Sequence, residues 1–262
     1  MKKNILLITL LLIQVTLLAQ TDLSPKEIME KSMSNTKLKG LEAKTRLDIN
    51  DGKGNIRTRV TTMASRVFSD GTEKRVIVFV SPADVKGTAM LIFDNETGND
   101  DMWIRLPALR KTRKIVSSEK SKSFMGSEFS NGDLSIGSID DFSYELDGEE
   151  EIGKEMCWKI KIIPKSEETA DETGVAYKYM WVSQNDFVPR QAFFFDLDEE
   201  PWKEMSYSGI KMLDPKDKKY FITHMEIKNL QNNRFSVMDM EEVQFNPAVP
   251  DEFFTIAFLE RQ

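Results

Sequence analysis

The run Lys44-Thr45-Arg46-Leu47-Asp48-Ile49-Asn50-Asp51-Gly52-Lys53-Gly54 decides the fold class. Thr45, Leu47 and Ile49 alternate with Lys44, Arg46 and Asp48, the period of two that sends successive side chains to opposite faces of a strand. Asp51-Gly52-Lys53-Gly54 then offers the residue types that close a hairpin. Ile56 to Phe68 reads as the returning strand, and Ser69-Asp70-Gly71 turns the chain again. Arg75-Val76-Ile77-Val78-Phe79-Val80 is apolar on both faces, as a strand covered from two sides should be, and Pro82 ends it.

The same rhythm runs outward toward the C-terminus. Thr88 to Phe93 and Met102 to Leu106 flank the turn Asn95–Asp100, and Lys111 to Val116 is a basic strand. Strands are expected again at Phe142–Leu146, Met156–Ile163, Ala176–Val182, Pro189–Leu197, Trp202–Met212, Tyr220–Leu230 and Phe235–Phe245, with a short closing helical turn at Pro250-Asp251-Glu252-Phe253-Phe254. Upstream, Ser24-Pro25-Lys26-Glu27 is a capping box with proline at the first helical position; Ile28, Met29, Met33 and Leu38 share a face, and Gly40 is the expected stop. The reading is mainly β: ten to twelve antiparallel strands and one N-terminal helix, with no strand–helix alternation to suggest a doubly wound sheet. A meander of that width must curl or close, because wide flat sheets expose their edges. Without an internal repeat or a linker, residues 20–262 are expected to form one domain.

The first residues read differently. Lys2 and Lys3 precede an apolar run from Ile5 to Leu18, and Leu17-Leu18-Ala19 presents a small residue for cleavage, so residues 1–19 are expected to be a secretory signal peptide cut after about Ala19. The run is too short for a membrane-spanning helix. No cysteine follows the cut, so a soluble, released product is expected rather than a lipoprotein. The chain's net charge is −7, and loss of Lys2 and Lys3 makes the product more acidic still. Such a balance argues against general nucleic-acid binding, which draws on Lys and Arg to neutralise phosphates. Cys157, the only cysteine, has no partner for an internal disulfide and is expected to be buried beside Trp158.

Catalytic chemistry is thin. His224, the only histidine, sits in the alternating run Phe221–Ile227 and reads as a half-exposed strand residue. There is no G-x-S-x-G elbow, and one cysteine with one histidine cannot supply an ordinary zinc site. Asp94-Asn95-Glu96-Thr97-Gly98-Asn99-Asp100-Asp101 resembles a calcium loop superficially, but its glycine is one position early and Arg105 stands where a bidentate Glu belongs, so a hairpin tip is expected. Asp147-Gly148-Glu149-Glu150-Glu151 reads as a solvated turn, and no carboxylate pair is marked for glycoside hydrolysis. The chain is expected to be no enzyme and to need no cofactor or metal.

What the sequence does offer is apolar surface. It holds 14 Met, 16 Phe and 4 Trp, and Met90–Phe93, Met180–Val182 and Phe193–Phe195 look apolar on both faces, more than one side of a sheet can bury; that surface must be covered by helices or enclose a cavity, and the collective pattern favours a cavity over ordinary core packing. Methionine suits a surface that accepts varied apolar guests. Ser117 to Ser138 breaks the period; it is rich in Ser and Gly yet carries Phe124, Met125 and Phe129, and long irregular segments of this kind are more often functional than idle. Beside it lie Arg110, Lys111, Arg113, Lys114, Lys120 and Lys122, a basic segment suited to an anionic group or to guarding an edge strand. An apolar pocket with a cationic rim fits an amphiphile.

Trp103-Ile104-Arg105-Leu106-Pro107-Ala108-Leu109-Arg110-Lys111, then Arg113-Lys114-Ile115, then Ser123-Phe124-Met125-Gly126-Ser127-Glu128-Phe129 with Asp133-Leu134, resemble the outer membrane lipoprotein-sorting protein family, the LolA-like periplasmic proteins. Lys74-Arg75, Pro82, Lys86-Gly87, Phe245-Asn246, Pro250-Asp251 and Phe253 extend the likeness over most of residues 23–259. The resemblance implies a half-open, incomplete antiparallel β-barrel, here of about 11 strands, lined by apolar side chains and covered by lid loops or short helices. It implies a periplasmic carrier of lipid or lipoprotein acyl chains between membranes, without catalysis, in transient membrane contact and associated with an RND-type transporter. Met90, Trp103, Leu106, Phe124, Met125, Trp181 and Phe194 are then the candidate lipid-contacting or lid residues. Arg105, Arg110 and Arg113 are the candidates for head-group or partner contact. The alternative is an accessory subunit of an envelope transporter complex that carries no lipid; a side-chain-filled barrel would favour it, and an open cavity would favour the carrier.

Overall fold

Alternation over residues 41–49 builds a strand whose odd-numbered side chains are buried and whose partners are drawn from opposite ends of the chain. The computed structural model describes residues 23–95, 98–135 and 137–262; the expected signal segment lies outside them. Within those residues one antiparallel sheet contains 13 strands, two more than the sequence-based estimate. They are β1 (Gly40–Asn50), β2 (Ile56–Val67), β3 (Glu73–Ser81), β4 (Ala89–Asp94), β5 (Asp101–Leu106), β6 (Lys111–Lys114), β7 (Phe142–Ile152), β8 (Glu155–Pro164), β9 (Tyr177–Ser183), β10 (Pro189–Phe195), β11 (Pro201–Asp214), β12 (Lys219–Asn229) and β13 (Phe235–Phe245). Every run read as a strand from the sequence is one.

The order is β6-β5-β4-β3-β2-β1-β13-β12-β11-β10-β9-β8-β7, so the sheet is a curled meander that does not close. β1 and β13 pair at its centre, with Leu47 opposite Met238. The free edges are β6 and β7. Three residues of β6, Lys111, Arg113 and Lys114, are exposed, and β7 carries Glu145, Asp147 and Glu149–Glu151, all exposed; charge of this kind keeps an open edge from pairing with another chain. Here the sequence-based expectation is corrected. Asp147–Glu151 is not a solvated turn but the second half of β7, bulged between Leu146 and Glu149 and polar because it lies at an edge. The turn comes later, at Gly153-Lys154.

Both faces of the sheet are covered, but by different partners. The inner face carries the main core, including Leu47, Ile49, Ile77, Phe79, Met90, Ile92 and Met102. The outer face of β2–β5 packs Ala64, Val76, Ala89 and Leu91 under the C-terminal segment, whose Phe254 and Leu259 are buried there. That explains why β3 and β4 are apolar in both phases. The covering segment is a 3-10 turn, Asp251–Phe254, followed by helix α3 (Ile256–Glu260), and α2 (Glu167–Thr173) is a further short helix; the sequence pattern gave only the first of these three.

Helix α1 (Pro25–Thr36) buries Ile28 and Met29 against Trp158, Ile160 and Val182. It stops at Thr36, short of Gly40, which instead begins β1; Leu38 leaves the helical face for the main core. The capping box is present: the Glu27 N–H donates to Ser24 Oγ at 3.3 Å and the Ser24 N–H donates to Glu27 Oε2 at 2.7 Å. Ser24→Ala should therefore lower the melting temperature by about 2–4 °C in a scanning calorimeter. Among the described residues no helix is long and apolar enough to cross a membrane.

Candidate functional site

One phase of the pleat supplies the wall of a cavity on the inner face. Leu41, Thr45 and Leu47 of β1, Thr61, Met63 and Ser65 of β2, and Glu73, Arg75 and Ile77 of β3 face it together. Phe221, Met225, Met238 and Met240 approach from β12 and β13, and the cavity volume is about 240 Å³. Four of these residues are methionines, whose unbranched, polarizable side chains can repack around guests of different shape.

The segment between β6 and β7 closes the cavity from above. Its first part is a small hairpin. Ser123 and Ser130 form a bridge, the Phe124 N–H donates to the Phe129 carbonyl at 2.7 Å, and Met125 and Gly126 both hold positive φ, as the mirror-image two-residue turns require. Glycine meets that requirement at no steric cost, and Met125 is held there by its surroundings. Phe124 is only 3% exposed and packs on Phe79 at 5.7 Å between ring centroids.

A buried polar cluster fastens this hairpin to the far side of the sheet. The Glu128 carboxylate accepts from Asn229 Nδ2 at 2.8 Å and lies 2.8 Å from Arg234 Nε, an ion pair whose N–H is not aligned for a hydrogen bond. The Glu128 carbonyl accepts from Lys203 Nζ at 2.8 Å, and its N–H donates to Ser236 Oγ. Burial pulls the Lys203 pKa below that of an ordinary lysine, with Asp133 and Glu128 opposing the shift. The Phe124-Met125 tip is thus tied down, and Phe124 serves the core as well as the cavity wall. The part of the segment that meets the cavity farther along is Asp133-Leu134.

Arg75 holds that part in place. It donates to the Leu134 carbonyl and to Glu73 Oε1 (2.8 Å), and Asp94 Oδ2 lies 3.5 Å away. Burial alone would pull the guanidinium pKa down, but the Glu73 and Asp94 carboxylates outweigh it and hold the group charged. Arg75 therefore lines the apolar cavity, whereas the sequence-based candidates for head-group or partner contact were Arg105, Arg110 and Arg113. The signal for it is phase: Glu73 and Arg75 are charged, yet they alternate in register with the buried Ile77 and Phe79.

Asp133 and Leu134 are shared with a second compartment of about 300 Å³, which is more polar and is lined by Asp100, Lys120, Glu172, Lys178, Phe194 and Tyr207 among others. Lys178 also faces a third compartment of about 190 Å³ beneath α1, which meets the first at Thr36 and Ile222. The Lys120 ammonium pairs with Glu172 at 3.1 Å. Burial raises the Asp100 carboxyl above the ordinary range, although the Asn95 and Gly137 N–H groups donate to it. Lys178 has no acceptor within hydrogen-bond distance among the described residues; its neighbours are the rings of Phe194 at 5.6 Å and Phe142 at 6.0 Å. Burial lowers its pKa, and Asp133 offsets this only in part.

The remaining sequence-derived candidates are dispersed. Met90 is fully buried in the core, Leu106 packs against it, and Phe194 lines the polar compartment. Met125 lies half-buried at the hairpin tip. Trp103 and Trp181 are on the outer face: Trp103 packs edge-on to Phe93 near the C-terminal segment, and Trp181 donates through Nε1 to Glu150. Arg105 faces the same way as Trp103, two residues along β5. Arg110 is an exposed residue with φ 47° and Arg113 pairs with Glu119 at 2.5 Å, both near the β6 edge.

Two other groups have structural surroundings. Cys157 is buried and its thiol is pushed up to about 11 by burial. His224 Nδ1 lies 2.6 Å from Asp239 Oδ1 across β12 and β13. The Asn95 N–H donates to Asp100 Oδ1 at 3.0 Å between β4 and β5; Glu96 and Thr97 of the expected hairpin tip lie outside the described residues. Among the described residues no group of three or more His, Cys, Asp or Glu side chains is placed to hold a metal ion.

Comparison with known proteins places this geometry. A family model described as "-like: Uncharacterized protein" matches residues 71–261. No curated protein sequence matches the chain. A domain assigned as an outer membrane lipoprotein-sorting protein from Vibrio parahaemolyticus superposes with a TM-score of 0.81 at 23% identity, over 90% of this chain and 98% of that one. A DUF1329 family protein from Desulfovibrio piger ATCC 29098 gives 0.82 at 27% identity, over 90% and 97%. A LolA superfamily protein from Nitrosomonas europaea gives 0.68 at 17% identity, over 90% and 99%. The structural neighbours are thus outer membrane lipoprotein-sorting and LolA superfamily proteins.

Proposed function

The chain belongs to the family whose model spans residues 71–261, and from that membership, the fold of its neighbours and its cavities we propose that it is a carrier of lipid or lipoprotein acyl chains. In this reading residues 1–19 direct it to the periplasm and are removed, and residues 20–262 act as one unit between membranes, in partnership with an RND-type transporter. It performs no catalysis. The observation that carries the reading is the methionine-rich cavity of about 240 Å³ on the inner face, adjoining two further compartments. A side-chain-filled sheet would have favoured an accessory subunit without cargo.

The physics is that of transfer. Each methylene taken from water is worth roughly 0.8 kcal/mol, so a long acyl chain needs shelter to move between membranes. The shelter must also open. Among the described residues the Arg75 contact to the Leu134 carbonyl is the one latch on Asp133-Leu134 from the cavity floor, and releasing it would join the apolar and polar compartments. The Phe124 hairpin, fastened through Glu128, stays as a fixed wall.

Filling the cavity tests this reading. Thr45→Phe puts a ring where Thr45 now faces open space. Displacing about two methylenes of a guest should weaken binding of a fluorescent fatty acid by about tenfold. Thermal unfolding should change little, because the ring enters a void. Unchanged fatty-acid affinity in the folded variant would remove this cavity from the binding site.

A further inference from the structure

We propose that the polar compartment around Lys178 and Asp133 takes the headgroup of a zwitterionic phospholipid of the phosphoethanolamine type, its phosphate at Lys178 and its ammonium at Asp133. This rests on the carrier reading and adds the class of cargo. The compartment shares Asp133, Leu134, Met225 and Met238 with the apolar cavity, so a single amphiphile can place its tail in one and its polar end in the other.

Charge decides which polar end. Lys178 stands among Phe142, Phe194 and the compartment's open space without a hydrogen-bond or ion-pair partner among the described residues. Lys178 is half-buried; an ammonium drawn out of water without acceptors is costly, and an anionic oxygen delivered by a ligand offsets that cost. Yet among the described residues the same walls carry Asp100, Asp133, Asp141 and Glu172 against only Lys120 and Lys178. Lys120 is already committed to Glu172. A purely anionic headgroup would satisfy Lys178 and face surplus carboxylate. Asp133 accepts from the Ser130 N–H through Oδ2 and influences Lys178 electrostatically without closing an ion pair to it. Two opposed charges that do not meet leave room for a ligand carrying both signs.

The test uses the mature protein, freed of lipid and incubated with vesicles of equimolar phosphatidylethanolamine and phosphatidylglycerol of identical acyl chains. Mass spectrometry then measures the bound lipids. Phosphatidylethanolamine should be enriched by about tenfold, the scale of one charge-assisted contact. Lys178→Met should reduce total bound phospholipid, and Asp133→Asn should bring the ratio of the two lipids toward one. Equal or inverted enrichment in the wild type, or ratios and amounts unmoved by both variants, would overturn the proposal. A fluorescent long-chain alcohol, which lacks any headgroup charge, separates the two readings. Uptake of the alcohol without phospholipid leaves the carrier standing and rejects the headgroup site; uptake of neither rejects both. Inorganic phosphate that displaces the phospholipid as well as its headgroup does would reduce the site to a phosphate site and also overturn the proposal.

Discussion

Glu128→Ala should destabilise the protein by about 3–5 kcal/mol, the cost of stripping one partner from a buried charged network. Glu128 is 7% exposed and its groups reach Lys203 on β11, Asn229 on β12, Ser236 on β13 and Arg234 in the turn before β13. Without the carboxylate, Asn229 loses its acceptor and the Arg234 side chain loses its counter-charge. The Phe124 hairpin would then keep its own turn, its apolar contacts and the main-chain bonds to Lys203, Ser236 and Arg234, but lose the carboxylate that ties Asn229 and Arg234 to it. Denaturant unfolding gives the magnitude, and Phe79-to-Phe124 packing should loosen with it, read as faster amide exchange across residues 123–130. A loss below about 1 kcal/mol, the range of an exposed ion pair, would show that the hairpin is not fastened there.

Arg75→Met should have an effect of similar size with a different signature. It leaves Glu73 and Asp94, both nearly inaccessible to solvent, without the cation between them, again a change of about 3–5 kcal/mol. The double variant Arg75→Met with Glu73→Met should recover a large part of the loss, because an apolar replacement of a buried pair is far less damaging than its division. In addition, exchange of the amides around Asp133-Leu134 should accelerate, and acyl-chain exchange between protein and vesicles should become faster, since the latch to the Leu134 carbonyl is gone. Exchange around Leu134 as slow as in the wild type would show that Arg75 is structural only.

Much of the fold is local and was therefore legible. Period-two alternation, the turns at Asp51–Gly54 and Ser69–Gly71 and the Ser24-Pro25-Lys26-Glu27 cap each act within a few residues, and each appears in the structure where the sequence places it. The double coverage of β3 is likewise written in its continuous apolar run, although its covering segment had been visible only as a turn near Phe254. The acidic stretch Asp147–Glu151 misled because an edge strand exposed on every side has the composition of a turn.

The candidate site was legible only in kind. Abundant methionine pointed to an adaptable apolar surface, but the cavity methionines are Met63, Met225, Met238 and Met240, not Met90. They come together because β1 pairs with β13, a contact between segments nearly two hundred residues apart that no local period reveals. Aromatic richness likewise could not tell Phe124 and Phe194 on the inner face from Trp103 and Trp181 on the outer one, since a strand's phase is fixed by its neighbours. Clustered arginines near β6 drew attention to an exposed edge. The arginine in the cavity is Arg75, whose mark was a charge in the buried phase of its strand.

The most direct test of the carrier is native mass spectrometry of residues 20–262 secreted from a bacterial host, with organic extraction of bound material. The account predicts added masses that match phospholipids or acylated peptides and that diminish in Thr45→Phe. A clean protein mass that stays clean after incubation with lipid vesicles would contradict it.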